Sequence, residues 1–364
     1  MINVTETYLP SRDSYDKYLN YIWENKWLTN GGKLNQKLNS ELQAYLSSTD
    51  LILTNNGTIP LQIALKVLGR KGDIITTPFS YIATSSAIVW EDCTPVFVDI
   101  DPDYLTIDEK KIEAAISDRT TAILATHVFG NPCAVDEIEH IAKKHNLQVI
   151  YDAAHCFGVT YQGQSVFNYG DVSTCSFHAT KIFHTGEGGA LFCKDQDLLA
   201  KCRYHGNFGH NGQYDYHGLG VNAKMSELHA AMGLSVLAEM EQVLEGRKKV
   251  VDRYRDLLDP DISGTLKIRK GTQWNYSYFP IIFDSEKTLQ EVIKSLETRN
   301  IFGRRYFYPS LNTINYLSGQ QMPVAESVSR RVLCLPLYVG LPDAVIEEIA
   351  TVVNGCLAKP VTNN

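Results

Sequence analysis

Short apolar runs and helical-period stretches take turns along the first half of this chain. Leu51-Ile-Leu-Thr54 is largely apolar and leads into the turn residues Asn55-Asn-Gly57, so it reads as a short buried strand. From Thr58 onward, Leu61, Ala64, Leu65 and Leu68 fall at i, i+3, i+4 and i+7, one face of a helix, with Pro60 in the first turn. Further strands are predicted at Asp73 to Thr76, Pro95 to Asp99, Thr121 to Thr126 and Gln148 to Tyr151. Between the last two, Val135 to His145 carries Val135, Ile138 and Ala142 on one helical side. Strand and helix in alternation predict a mostly parallel sheet covered on both faces.

Strands shorten at Ser173 to Phe177 and Gly189 to Phe192. A long helical stretch, Met225 to Leu258, then carries Val250, Tyr254, Leu257 and Leu258 at helical spacing. After it come a strand at Tyr276 to Phe283, a helix at Leu289 to Thr298 and a last helix near Pro342. A chain of 364 residues exceeds the size at which one core stops growing. We therefore expect a large α/β domain over residues 1–245, with the N-terminal segment, and a smaller C-terminal α/β domain over 246–364.

Composition narrows the function classes. With 44% apolar and 21% charged residues the chain is ordinary globular material. Its net charge of -7 argues against a nucleic-acid surface, so an anionic substrate must be met by a local cluster of donors. No apolar run approaches the roughly 20 residues of a membrane span, and Met1-Ile-Asn-Val-Thr-Glu lacks the basic start and apolar centre of a signal peptide. A cytoplasmic protein is expected. The eight cysteines form no CxxC pair, which predicts buried reduced thiols and no metal site.

The densest chemistry lies in Ser176-Phe-His-Ala-Thr-Lys181, followed by Ile182-Phe-His-Thr-Gly-Glu-Gly-Gly189. Tyr151-Asp-Ala-Ala-His155 lies upstream, with Asp152 twenty-nine residues before Lys181. A lysine on a tight turn and an aspartate at a strand end are what pyridoxal phosphate chemistry needs. The amine condenses with the cofactor aldehyde, and the acid keeps the ring nitrogen protonated. Gly57-Thr58, at a helix N-terminus, offers backbone amides and a hydroxyl to a phosphate.

These motifs, together with Thr29-Asn-Gly31, Pro78-Phe-Ser-Tyr-Ile-Ala-Thr84, Asp99-Ile-Asp101 and Gly220-Val-Asn222, resemble the DegT/DnrJ/EryC1/StrS sugar aminotransferases. That family has the aspartate-aminotransferase-like fold type I, whose large domain is built on a mostly parallel seven-stranded sheet. The resemblance implies pyridoxal 5'-phosphate bound by Lys181, by Asp152 at the ring nitrogen and by His155 at the phenolic oxygen or beside it. Gly57, Thr58 and Ser176 are implied at the phosphate, and Tyr81 stacks on the ring, with Phe79 as its competitor. Asn222 is implied to reach the phosphate of the neighbouring subunit, which requires a homodimer. Substrate candidates are Glu187, His184, Lys224, Arg304, Arg305, Tyr306, Tyr308 and Lys33.

The implied reaction transfers the amino group of L-glutamate to a nucleotide-linked ketosugar. A dTDP-4-keto-6-deoxyhexose is expected, giving a dTDP-4-amino-4,6-dideoxyhexose, the kind of sugar that feeds surface polysaccharides such as O-antigen. The chain departs from the family at two places. Lys224 stands where many members have an arginine, and Arg304-Arg-Tyr-Phe-Tyr-Pro309 replaces a histidine-bearing segment. Both leave open amination at carbon 3 instead of carbon 4. A sugar dehydratase of the same fold would have histidine for Lys181, and a non-catalytic binding protein would have lost Lys181 or Asp152.

Overall fold

The computed structural model describes residues 1–68, 71–259, 266–317 and 319–357. Two helices, α1 (Arg12–Asn25) and α2 (Lys33–Leu46), precede strand β1 (Leu51–Thr54). There follow α3 (Ile59–Leu68), β2 (Asp73–Thr76), α4 (Ile82–Trp90), β3 (Thr94–Phe97), α5 (Glu109–Ile112), β4 (Thr120–Thr126), α6 (Val135–His145) and β5 (Gln148–Asp152). The short strands β6 (Thr160–Tyr161) and β7 (Gln164–Ser165) lead to β8 (Val172–Ser176) and β9 (Gly189–Phe192). One seven-stranded sheet results, in the order β1-β9-β8-β5-β4-β2-β3. It is parallel from β8 to β3, and β9 runs antiparallel to both its neighbours, β1 and β8. Strands β2, β4 and β5 are buried along most of their length, as a sheet covered on both faces demands.

The remaining elements are α7 (Gln196–His205), α8 (Glu227–Leu237), α9 (Met240–Leu257), β10 (Thr272–Gln273), β11 (Phe279–Ile282), α10 (Glu286–Glu297), α11 (Pro323–Arg331), β12 (Val332–Leu335) and α12 (Asp343–Leu357). The single helix predicted from Met225 to Leu258 is therefore two. Helix α8 is buried on nearly every side, whereas α9 buries one stripe. The break at Ala238 and Glu239 is pinned by the Glu239 carboxylate, which accepts from the Tyr8 hydroxyl and the Ser11 amide. Helix α9 starts with Met240 and Val243 in the core beneath the main sheet. It ends with Val250, Val251 and Tyr254 in a second core around the antiparallel pair β11–β12, α10 and α12. A third apolar cluster, containing Phe79, Phe129, Tyr278 and Phe307, joins the ends of the main strands to the C-terminal segment.

Among the described residues no helix is long and apolar enough to cross a membrane. None of the eight cysteines is in a disulfide.

Candidate active site

Parallel strands all point the same way, so the loops after their carboxyl ends gather on one edge, where open α/β sheets place their ligands. Asp152 ends β5, in register with Thr126 of β4 and Thr174 of β8. Its side chain is buried. Oδ2 accepts from the Thr84 hydroxyl at 2.6 Å and Oδ1 from the Ala154 amide at 3.1 Å. Burial raises the carboxyl's pKa, and these two donors together with the Lys181 charge pull it back down. Thr84 is itself paired with the Ser80 hydroxyl at 2.7 Å, which accepts from Thr126 at 3.1 Å. The carboxylate thus sits at the head of a buried chain of three hydroxyls, in which each donor polarises the next.

Lys181 lies in the tight turn between β8 and β9. The Phe177 amide donates to Gly188 O and the Ala179 amide to Gly186 O, and the Lys181 amide closes a turn on His178 O. Glycine is required at the end of that loop, because a Cβ on Gly189 would lie 2.4 Å from the carbonyl oxygen of Asn56. The Lys181 amine has no hydrogen-bond acceptor among the described residues, and it stands 5.8 Å from the Tyr278 ring centroid. Desolvation lowers its pKa, partly offset by Tyr306 and Asp152.

His155 is buried, and its Nδ1 accepts the Phe129 amide at 3.1 Å. That bond assigns the hydrogen to Nε2, and burial holds the ring's pKa well below the usual imidazole range. Its ring lies nearly parallel to Phe307, centroids 5.8 Å apart, and beside Tyr278 at 4.9 Å. Tyr81 caps α4 and is 57% exposed, whereas Phe79 is wholly buried against Phe129 and Phe307. Of the two competing aromatics, only Tyr81 presents a face to an incoming ring.

Gly57 faces Ser176 so closely that a Cβ on it would lie 2.6 Å from the serine's Cβ. This makes a cradle at the start of α3 that only glycine permits. The Thr58 and Ile59 amides both donate to Asn56 Oδ1 at 2.9 Å. Asn56 therefore caps the helix, which corrects the simple expectation that the Thr58 amide waits for a phosphate. The Gly57 amide and the Thr58 and Ser176 hydroxyls donate to no acceptor among the described residues. Asn222 is exposed, with its carbonyl accepting from Asn55 and its side chain free of any partner among the described residues.

Several substrate candidates prove to serve the fold. His184 is buried, with Nε2 2.6 Å from Tyr8 O and Nδ1 accepting the Gly186 amide, so both nitrogens are used and it cannot contact substrate. Arg305 donates to Glu286 at 3.0 Å and to the Arg330 carbonyl at 2.9 Å, committing its guanidinium to α10 and α11. Lys33 is exposed on the first turn of α2, where the amides of Leu34 and Asn35 are capped by buried Glu227. Among the described residues, no hydrogen bond or ion pair joins it to the surroundings of Lys181.

Of the other candidates, Tyr306 is the one coupled electrostatically to Lys181. Tyr306 packs edge-on against Tyr278, and burial raises its pKa to about 12 while Lys181 and Arg304 hold it down. Arg304 is exposed, its guanidinium 5.6 Å from the Tyr306 ring, and Tyr308 is exposed beneath Arg305. Glu187 is exposed and 3.5 Å from His178. Lys224 donates to Asn207 at 3.1 Å and covers the Phe208 ring, and burial lowers its pKa. Thr84, Tyr278 and Arg247 were not picked out from sequence. Thr84 stood inside a quoted motif, but nothing in the spacing of Tyr278 or Arg247 marks them.

A family model described as the DegT/DnrJ/EryC1/StrS aminotransferase family matches residues 11–354. A dTDP-4-amino-4,6-dideoxy-D-glucose transaminase of Shigella dysenteriae is 43% identical over 97% of this chain and 98% of its own. The Escherichia coli protein of the same name is 39% identical over 97% of this chain and 98% of its own. The crystal structure of DesI with its TDP-sugar product superposes with a TM-score of 0.92 at 31% identity, covering 98% of this chain and 93% of that one.

Proposed function

The chain belongs to the DegT/DnrJ/EryC1/StrS aminotransferase family, and from that premise we propose that it transfers the amino group of L-glutamate to a dTDP-4-keto-6-deoxyhexose. The product is a dTDP-4-amino-4,6-dideoxyhexose, and pyridoxal 5'-phosphate is the cofactor. The observation that carries the chemistry is Lys181, a desolvated amine without an acceptor, beside Asp152, a buried carboxylate held only by neutral donors. The similarity to the two dTDP-4-amino-4,6-dideoxy-D-glucose transaminases supports carbon 4 over carbon 3 and thymidine diphosphate as the carrier.

The residues present fit that cofactor. Gly57, Thr58 and Ser176 form a cradle for its phosphate, and Asp152, hydrogen-bonded only by neutral donors among the described residues, can accept from a protonated ring nitrogen. His155 has Nε2–H to donate to the phenolic oxygen, and Tyr81 has an open face for the ring. When bound, pyridoxal phosphate supplies an electron sink for the charge left when a proton leaves carbon. Lys181 Nζ, its pKa lowered by burial, takes the proton from the α-carbon of the amino donor. Asp152 keeps the ring nitrogen protonated, and Thr84 fixes the carboxylate's orientation. In the second half-reaction Lys181 returns a proton to carbon 4 of the sugar, while Arg304, Tyr306 and Tyr308 line the approach of the nucleotide-linked substrate.

The active form in this reading is a homodimer, with Asn222 of each subunit completing the partner's phosphate site. A cavity of about 670 Å3 supports it, lined by Thr58, Trp90, Leu219 and Val221, in which Trp90 is 77% and Leu219 69% exposed. Residues 1–245 form the cofactor unit and 246–364 the smaller one, supported by the passage of α9 from one core into the other. The place of action is the cytoplasm, in keeping with eight cysteines outside any disulfide.

The test is spectroscopic. L-Glutamate should bleach the visible absorbance of the cofactor-loaded protein, and a dTDP-4-keto-6-deoxyhexose should restore it while its 3-keto isomer does not. Restoration by the 3-keto sugar alone overturns the regiochemistry, and absence of any bound cofactor overturns the enzyme reading.

A further inference from the structure

A second cavity, of about 190 Å3, adjoins the Lys181 turn, with Thr7, Tyr8, Lys181, Val243 and Arg247 in its wall and Glu6 exposed at its edge. Arg247 stands on α9 and is 6% exposed. Its Nε donates to Tyr276 O at 3.0 Å and its Nη2 to Ser277 O at 2.7 Å. These bonds hold the guanidinium rigidly at the cavity and leave Nη1 without a partner among the described residues.

No carboxylate among those residues forms an ion pair with it. Glu239, at the start of the same helix, is engaged by Tyr8 and Ser11. Burial lowers the pKa of Arg247 to about 10, so the group is still cationic at neutral pH. A buried cation paired with nothing is costly, and a geometry that maintains one beside a reactive amine is shaped for an anion. The cavity is too small for a nucleoside diphosphate, and the sugar's own anionic groups are attached at carbon 1, across the ring from carbon 4. The amino donor, by contrast, must bring its carboxylates close to the carbon from which Lys181 takes the proton.

We infer that Arg247 is the anchor for a carboxylate of the amino-acid donor and that the cavity beside Lys181 is the donor subsite. This rests on the aminotransferase reading above. The subsite selects an α-amino dicarboxylate in the first half-reaction and has no part in holding the nucleotide sugar in the second.

Single-turnover kinetics of the loaded Arg247→Lys and Arg247→Gln enzymes test it. The glutamate concentration for half-maximal bleaching should rise about 10- to 100-fold, the range for a lost charge-assisted contact. The ketosugar dependence of the second half-reaction and the absorbance of the bound cofactor should stay near those of the unsubstituted protein, while loss of the bonds to Tyr276 O and Ser277 O lowers the melting temperature. An unchanged glutamate dependence, or an equal loss in both half-reactions, overturns the assignment.

Should the variants fail to fold, a measurement on the unsubstituted, cofactor-free protein decides. Glutarate should bind in a calorimetric titration, and glutaramide, the same chain without charge, should not. Equal binding of the two overturns the assignment. If instead no amino acid ever bleaches the loaded protein while glutarate binds, the aminotransferase reading has failed and the anion subsite stands.

Discussion

The two walls of the site are built differently. On the sheet side, Asp152, Thr84 and His155 are buried, and the Asp152 carboxylate, the Thr84 hydroxyl and His155 Nδ1 each have a defined partner within the chain. The residues proposed for the approach side, Tyr81, Arg304, Tyr308 and Asn222, are exposed, and none of their side chains is held by a hydrogen bond among the described residues. Strand ends deliver groups of fixed direction into a desolvated place, where electrostatic interactions are strong. Loops deliver exposed groups that are ordered by what binds to them. The chemistry is thus preorganised within one chain, and in the proposed reading substrate recognition is completed by ligand and partner subunit.

The largest effect that would break this contrast lies on the sheet side. Lys181→Ala should cut turnover with glutamate and ketosugar by about 10^4-fold or more, since proton transfer is lost along with the cofactor's attachment point. A fall of less than tenfold would mean that another base does the work. Asp152→Asn keeps the shape and removes the charge. It should cost about 100-fold in turnover, with a matching change in the bound cofactor's absorbance.

Thr84→Val sharpens the same wall. Removing a donor from a buried carboxylate disfavours its ionised form, so the Asp152 pKa should rise further. The acid limb of the pH–rate profile should then move to higher pH, with turnover about tenfold lower at its optimum. An unmoved acid limb would show that the hydroxyl chain does not tune the site.

Between the walls, the neighbouring arginines make a paired test. Arg305→Ala should lower stability by about 1–3 kcal/mol in urea denaturation, by stripping the bonds to Glu286 and Arg330 O. It should leave the KM for the sugar nucleotide unchanged. Arg304→Ala should do the reverse, raising that KM several-fold with stability intact.

The smallest effect is a stability slope. His155 and His127 are both buried with pKa values pushed down, His127 to about 3, so the unfolded chain binds protons that the folded one does not. Their contribution is present above pH 6.5 and is lost as pH falls below it, so the urea midpoint of the cofactor-free protein should drop between pH 7 and pH 5. Asp152, with its pKa raised, acts in the opposite sense at lower pH. His155→Gln should flatten the slope.

What could be read from the amino-acid order was the sheet side. Strands β1, β2 and β9 and helix α6 lie where apolar runs and 3.6-residue spacing predicted them, because their patterns answer to burial on one face or both. Asp152 ends β5, Ser176 ends β8 and Lys181 lies in the loop between β8 and β9, so locating those apolar strands located them too. The break between α8 and α9 was invisible, since it depends on Glu239 meeting Tyr8, more than two hundred residues away in sequence. The same holds for the structural bonds of His184 and Arg305, and for the charge of Arg247 near Lys181, which has no ion-pair partner among the described residues. A charged residue carries no local sign of whether its partner is water, a distant carbonyl or nothing. Only the tertiary contacts decide that, because the cost of a charge is set by the solvent it has lost and the groups it has gained.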